Sequence, residues 1–135
     1  MPIVGFNFEK IRIEKKNKIT EKLNVKNDLA IVGLEQEKLN ISGSEDVLKF
    51  NFKFTVNYEP KVGEILLEGN VLYMEEGTKA KEILDGWRKD KKLPKELAPK
   101  LLNTILAKCN IKALTLTQDV NLPPHIKLPI LKSRT

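Results

Sequence analysis

The side chains that could carry out chemistry in this chain are few and far apart. The single cysteine is Cys109, and the single histidine is His125, which follows in a proline-rich segment. One cysteine cannot form an internal disulfide or a cysteine-rich metal site, and a lone histidine lacks the partners that a metal site needs. We therefore expect a buried, unreactive thiol at Cys109, an exposed loop histidine at His125, and no metal or other cofactor.

Two pairs of adjacent acids are the remaining candidates for acid and base chemistry. They are Glu45–Asp46 and Glu75–Glu76. Neighbouring side chains of a strand point to opposite faces, so the two carboxyls of each pair should lie apart and be solvated. The sequence also contains no glycine-rich phosphate loop, zinc-ligand spacing or nucleophile elbow. We expect a binding protein and not an enzyme.

Charge is distributed unevenly along the chain. Residues 28–78 carry ten acidic and four basic side chains, a net charge of −6, whereas residues 79–112 carry ten basic and four acidic ones, a net charge of +6. Such segregation indicates either a basic face for nucleic acid or complementary surfaces between subunits. Only three of the 24 basic residues are arginines. Because arginine forks dominate specific base and phosphate recognition, the composition disfavours specific nucleic-acid binding without excluding it.

Four segments have the pattern of antiparallel strands. Leu48–Tyr58 alternates apolar and polar side chains without a break, and Glu64–Met74 does the same after a Pro and Gly turn, so the two predict a long hairpin. In Val4–Ile13 the apolar residues change from even to odd positions, which predicts a bulge. A further strand is expected over Leu29–Ile41. The polar residues of Leu48–Tyr58 share one face, which we expect to be either a solvated surface or a docking surface for a charged partner.

Two helices are expected after the strands. Thr78 is a candidate N-cap for a short helix with apolar residues at helical spacing up to Trp87. A long helix should begin near Pro94 or Pro99, because proline is tolerated only in the first turn. The tail Leu114–Lys132 alternates weakly and then becomes proline-rich from Asn121, where three prolines in seven residues exclude a regular helix. The fold class is α+β, with a four-stranded antiparallel sheet, a short crossover helix and a long C-terminal helix packed on the sheet.

Length and composition indicate a single globular domain. At 135 residues and 41% hydrophobic composition, the chain supports one core, so we expect residues 1–135 to form one domain. No apolar run approaches the roughly 18 residues of a membrane span, and Met1–Lys10 lacks the pattern of a signal peptide. We expect a cytoplasmic protein without membrane insertion.

Large apolar side chains also occur where the chain cannot build a core around them. Trp87 ends the short helix just before a basic run, and the proline-rich tail carries five such residues: Leu122, Ile126, Leu128, Ile130 and Leu131. These side chains must lie on the domain itself, on another subunit, or in a groove that binds a partner. The pattern alone leaves the three possibilities open.

The order of these parts resembles the SecB export-chaperone family. The resemblance is carried by the hairpin of Val47–Val56 and Glu64–Tyr73, the crossover at Glu76–Gly77–Thr78, the helix Pro99–Cys109, and the segment Asn121–Leu122–Pro123–Pro124. It covers most of the chain and implies a SecB-like fold. It also implies an ATP-independent chaperone, a dimer of dimers, that holds unfolded polypeptide in apolar surface grooves.

By position, the resemblance nominates six peptide-binding residues. They are Trp87 in the crossover, Leu39 and Ile41 on the second strand, and Leu122, Leu128 and Leu131 in the tail. Export-linked members present an acidic sheet surface, whereas this chain presents Lys49 and Lys53. We therefore expect a general holdase, or a chaperone dedicated to one client such as an antitoxin. The alternatives are a basic nucleic-acid-binding module and a structural oligomer subunit that binds no client.

Overall fold

The computed structural model describes residues 3–19, 22–37, 45–129 and 131. Four strands are followed by two helices: β1 (Ile3–Lys15), β2 (Asn24–Glu37), β3 (Glu45–Glu59), β4 (Gly63–Glu76), α1 (Gly77–Asp90) and α2 (Ala98–Asp119). The predicted α+β class is confirmed. Of the helices in the described part of the chain, neither has an apolar segment long enough to cross a membrane.

The strands form one antiparallel sheet in the order β1-β4-β3-β2. The β3–β4 hairpin is therefore central, and β1 and β2 are the edges. Alternation along β3 places Phe50, Phe52 and Phe54 on the face that the helices cover, where each is at most 1% exposed. Lys53 and Asn57 lie on the opposite face and are exposed. The face under the helices is thus buried and the opposite face of β3 is polar, as the alternation predicts.

The bulge predicted in β1 is confirmed. Phe8 pairs with Gly69 and Lys10 pairs with Glu68, so Glu9 is an extra residue that is opposite no residue of β4 in the strand register. One extra residue reverses the facing of everything that follows it. Both the even-numbered Phe8 and the odd-numbered Ile11 consequently lie on the face that the helices cover.

The helices complete the core with narrow apolar stripes. Buried side chains of α1 are Ala80, Ile83, Leu84 and Trp87, and those of α2 are Leu101, Ile105, Cys109, Ala113 and Thr117. Helix α1 begins at Gly77 with Glu76 as N-cap, so the predicted cap Thr78 is already inside the helix.

Burial raises the pKa of Cys109 to about 12. The thiol is therefore protonated at neutral pH and is a poor nucleophile.

Helix α2 continues well past Cys109 to Asp119, so the first residues of the predicted tail, from Leu114, are helical. Two features keep the helix going. Ala113 and Thr117 extend the buried stripe at a spacing of four residues. In addition, the Thr117 hydroxyl donates to the Leu114 carbonyl oxygen at 2.7 Å. A buried threonine that bonds back to its own helix avoids an unpaired hydroxyl in the core.

The proline-rich tail packs across the end of the sheet. Tyr58 Oη donates to the Pro123 carbonyl oxygen at 2.6 Å, and Asn27 Nδ2 donates to the His125 carbonyl oxygen at 3.3 Å. Leu122 is buried in the hydrophobic core. The tail segment from Leu122 to His125 is thereby tied to β2 and β3, because its backbone carbonyls find partners on both strands.

His125 is only 4% exposed, so the prediction of an exposed loop histidine is wrong. Its ring packs edge-on against Phe54, with 6.1 Å between ring centroids. Its Nε2 lies 2.8 Å from Asn110 Oδ1 and must donate, because that oxygen can only accept. Within the described residues, Nδ1 has no hydrogen-bond partner. Burial lowers the pKa of His125, so the imidazole is neutral at pH 7.

Acidification from pH 7 to pH 5.5 is expected to destabilise the fold through His125. Its pKa is lower in the folded chain than the value of about 6.5 in the unfolded chain, so its contribution is complete above pH 6.5 and is lost as the pH falls below it. One proton gives a slope of at most about 1.4 kcal/mol per pH unit. Urea unfolding across this range should show a shallower pH dependence for His125→Gln than for the wild type. Equal slopes would contradict the assignment.

Candidate functional site

An open groove lies between the β2 edge of the sheet and the connection from α1 to α2. It has a volume of about 430 Å³. We name it the Trp87 groove, and its lining residues are Leu29, Ile31, Val32, Trp87, Lys91, Leu93, Ala98 and Leu102. Seven of these eight are apolar or aromatic. The volume lies within the roughly 300–1,000 Å³ that is typical of ligand sites.

Trp87 lies at the end of α1 beneath a lysine. Trp87 belongs to the buried side of α1 and is only 7% exposed. Lys91 Nζ lies 5.4 Å from the centroid of the Trp87 ring. Lys91 has a left-handed backbone (φ 60°), and its N–H donates to the Trp87 carbonyl oxygen at 2.9 Å. This turn ends the helix and folds the lysine back over the indole, where the ammonium gains a cation–π contact.

The β2 wall of the groove depends on a bulge. Ile31 pairs with Phe52 and Gly33 pairs with Asn51, so Val32 is an extra residue opposite no partner. Its side chain is 58% exposed. A bulge re-aims the side chain that it inserts. Here it leaves an unusually exposed valine on an edge strand, beside the half-buried Leu29 and Ile31.

The third wall is the start of α2. The N–H groups of Leu97 and Ala98 donate to the Pro94 carbonyl oxygen at 3.1 and 3.0 Å, which sets the turn that leads into the helix. Ala98 and Leu102 are one helical turn apart and therefore share a face. That face, together with Leu93 of the connection, closes the groove opposite β2.

The groove offers apolar contact and very little directional chemistry. Lys91 is the only charged residue among its described lining residues. In the described ranges, no group of three or more His, Cys, Asp or Glu side chains could hold a metal ion. Apolar contact is non-directional and scales with area. The site is therefore suited to binding varied apolar groups and not to fixing one polar ligand.

The six peptide-binding residues nominated from the sequence lie in different environments. Trp87 lines the groove, and Leu122 is buried in the core. Leu128 is about half exposed and Leu131 is fully exposed, and neither is among the described lining residues of the groove. Leu39 and Ile41 lie outside the described residues. Their roles remain predictions.

Most of the groove was missed by sequence reasoning. The missed residues are Leu29, Ile31, Val32, Lys91, Leu93, Ala98 and Leu102. One signal was available for β2: Leu29–Leu34 is an almost continuous apolar run that contains Gly33, whereas a half-buried strand should alternate. A break in alternation next to a glycine is a sign of a bulge, and a bulge on an edge strand exposes apolar side chains.

Comparison with solved structures places this architecture among known folds. No protein-family model and no curated protein matches the sequence. The SecB-like chaperone Rv1957 of Mycobacterium tuberculosis, solved in complex with a ChAD peptide from the Rv1956 HigA1 antitoxin, is similar with a TM-score of 0.57 and 14% sequence identity. The likeness covers 99% of this chain and 92% of the other. The predicted resemblance is confirmed at the level of structure, and the chain has a SecB-like fold.

Proposed function

We propose that this chain is an ATP-independent chaperone that holds apolar stretches of unfolded polypeptide in the Trp87 groove. The observation that carries the proposal is an open apolar groove with a tryptophan at one end, set beside an edge strand. The mycobacterial protein with the same fold binds an antitoxin peptide, which supports a polypeptide ligand. The proposal assigns no catalytic step and no cofactor, and it keeps the expectation of a cytoplasmic, single-domain protein.

The edge position of β2 gives an extended client a second means of attachment. An edge strand has a row of backbone N–H and C=O groups that no neighbouring strand of its sheet uses. A client strand laid along β2 would pair with these groups while its alternate side chains enter the groove. Backbone pairing does not depend on the client sequence, so this mode would accept many clients. A chaperone dedicated to one client would use the same groove and the same edge strand.

We expect micromolar affinity. Each large apolar client side chain contributes about 1.5–3 kcal/mol when it is fully buried. The ordering of a flexible client offsets much of that gain. Two or three anchored side chains would contribute about 3–9 kcal/mol before this cost. A dissociation constant near 1 μM needs about 8 kcal/mol in total, so pairing along β2 would have to offset the ordering cost.

The test is a fluorescence-anisotropy titration of a permanently unfolded, dye-labelled protein with this chain at 50 and 300 mM salt. Apolar binding should survive the higher salt, whereas phosphate-like or purely ionic contacts weaken steeply over this range. Saturable binding at both salts, without nucleotide, supports the proposal. Binding lost at 300 mM would point to the basic segment and reopen nucleic acid as a ligand.

We also propose that the chain forms homo-oligomers through the outer face of α2. That face carries Ala107, Ile111 and Leu114, which are spaced four and three residues apart, and Ile111 is one of the most exposed large apolar side chains in the described ranges. An apolar helix face that its own domain leaves uncovered indicates a partner surface. A second copy of the chain would cover it symmetrically, since isologous contacts bring the same patch together. A dimer of dimers is the expected assembly.

Replacing Ile111 with lysine is expected to reduce the oligomer to a smaller species. The substitution would put a charge in the centre of an apolar interface on each copy, and the like charges would meet across a symmetry axis. Light scattering coupled to size-exclusion chromatography measures the mass. Asn57→Lys adds the same charge on the exposed face of the sheet and should leave the mass unchanged. An unchanged mass for Ile111→Lys would contradict this interface.

A further inference from the structure

A second, smaller pocket lies on the other side of the α1–α2 connection. We name it the Glu75 pocket. Its volume is about 250 Å³, and its apolar walls are formed by Ile3, Tyr73, Ile83, Pro94, Leu97 and Leu101. Leu97 and Leu101 line this pocket while Ala98 and Leu102 line the Trp87 groove. Because successive residues of a helix point about 100° apart, the first turns of α2 separate the two sites.

A carboxylate is buried in the wall of this pocket. Glu75 is only 6% exposed, so the prediction that it is solvated is wrong, whereas its neighbour Glu76 is exposed as expected. The reason is its position on β4: Glu75 follows Tyr73 by two residues and therefore shares the face that the helices cover. The adjacent acids point apart, and one of them lies under α1 and α2.

The Glu75 carboxylate is hydrogen-bonded but has no basic partner in the part of the chain that the structure describes. Its Oε2 accepts from the Tyr73 hydroxyl at 3.1 Å, and its Oε1 accepts from the Glu76 backbone N–H at 3.0 Å. The pKa of Tyr73 is raised to about 12, mainly by burial and also by the hydrogen bond to Glu75 and by its charge. The phenol therefore stays protonated and remains a donor. No Lys or Arg nitrogen of the described residues lies within 4.0 Å of this carboxylate.

This arrangement leaves acceptor capacity that faces a cavity. A carboxylate has about four lone-pair sites, and the two donors found here occupy two of them. The other charged side chains that line the pocket are Lys79, Glu82, Glu96 and Lys100, and all four are exposed. Their charges are screened by solvent, whereas a buried charge acts through a lower effective dielectric constant. The field inside the pocket is therefore set mainly by Glu75.

We propose that the Glu75 pocket binds a cationic group carried on an alkyl chain, either an alkylammonium or an alkylguanidinium. The apolar walls would contact the hydrocarbon chain, and the Glu75 carboxylate would accept hydrogen bonds from the cation. The volume fits one such group, since a cavity of about 150 Å³ already takes benzene. The group could belong to a free amine or to a lysine or arginine side chain of a polypeptide. This site is separate from the Trp87 groove and does not depend on the proposed chaperone function.

The experiment compares matched probes by amide chemical-shift titration of the folded protein. The probes are n-butylammonium, its neutral counterpart n-butanol, and a short peptide with blocked ends and one central lysine. We expect n-butylammonium to shift the amides of Tyr73, Glu75 and Leu101 and to bind at least fivefold more tightly than n-butanol. A lysine peptide that shifts the same amides would identify a polypeptide side chain as a ligand, and a silent peptide would restrict the site to free amines.

Two variants separate the buried charge from general electrostatics. Glu75→Gln keeps the size and an acceptor but removes the charge, so n-butylammonium should lose its advantage over n-butanol. Asp85→Asn removes the same charge from an exposed position of α1 outside the pocket and should preserve that advantage. Equal binding of the cation and the alcohol to the wild type would overturn the proposal even if Glu75→Gln failed to fold. A cation preference that persists in folded Glu75→Gln would also overturn it.

Discussion

Replacing Val32 with aspartate is expected to weaken client binding at least tenfold while leaving the fold intact. Val32 is the extra residue of the β2 bulge and is 58% exposed in the wall of the Trp87 groove. A client side chain in the groove would bury the new carboxylate against an apolar wall, and desolvating a charge costs several kcal/mol. A tenfold loss needs only about 1.4 kcal/mol. The anisotropy titration measures the effect.

The chain contains a well-matched control for this variant. Val4 is also an extra residue at a bulge of an edge strand, β1, and it is 45% exposed. Val4→Asp therefore makes the same chemical change in the same backbone context, with the same cost in strand propensity. It should bind clients as the wild type does. If Val4→Asp and Val32→Asp weakened binding equally, the effect would come from net charge, and the groove would not be the site.

Two glycine-to-alanine substitutions are expected to change stability in opposite directions. At Gly69, on β4, an added Cβ would clash with the Asn7 carbonyl oxygen and would lie 2.8 Å from Phe52 Cζ. The first contact is with backbone, so β1 and β4 would have to separate. Overpacking of this kind costs about 1–3 kcal/mol or more. Urea denaturation should show Gly69→Ala unfolding at a clearly lower midpoint.

Gly86 is the matched position on α1. A Cβ there would have only one heavy atom nearby, the Lys92 carbonyl oxygen at 3.8 Å, which is an ordinary contact. Alanine is about 1 kcal/mol better than glycine inside a helix, so Gly86→Ala should stabilise the protein by up to that amount. A stabilising effect of Gly69→Ala, or a strongly destabilising one of Gly86→Ala, would contradict the packing described for these two sites.

The sheet was predictable because its two faces differ so strongly. Strict alternation in Leu48–Tyr58 fixes which side chains face the helices, and the change of register in β1 shows in its shift from even to odd apolar positions. Both features depend on local periodicity. The turn between β3 and β4 was also predictable, since Pro60 and Gly63 have strong turn preferences.

Features that depend on tertiary packing were not predictable in the same way. The end of α2 was placed too early because Leu114 and Leu116 alternate weakly, whereas burial of Ala113 and Thr117 extends the buried stripe of the helix. His125 looked exposed because its neighbours are prolines, yet contacts with Phe54 and Asn110 bury it. Such contacts join residues that are far apart in sequence.

The candidate sites were likewise predictable only where they depend on local sequence pattern. Trp87 was predictable as a lone aromatic in the crossover, but its partners come from β2 and α2, and spacing alone does not bring these elements together. Glu75 was expected to be solvated because acids in strands usually are, and only the packing of α1 and α2 over β4 shows otherwise. A site made by three elements needs the fold before its residues can be named.

The most direct test of the proposed function is suppression of aggregation. A chemically unfolded model protein would be diluted into increasing amounts of this chain, without nucleotide, at 50 and 300 mM salt, and light scattering would be followed. Suppression at near-stoichiometric ratios in both salts, retained by Val4→Asp and lost by Val32→Asp, is the predicted result. Unchanged scattering at every ratio in both salts would contradict a holdase that accepts unfolded proteins in the Trp87 groove.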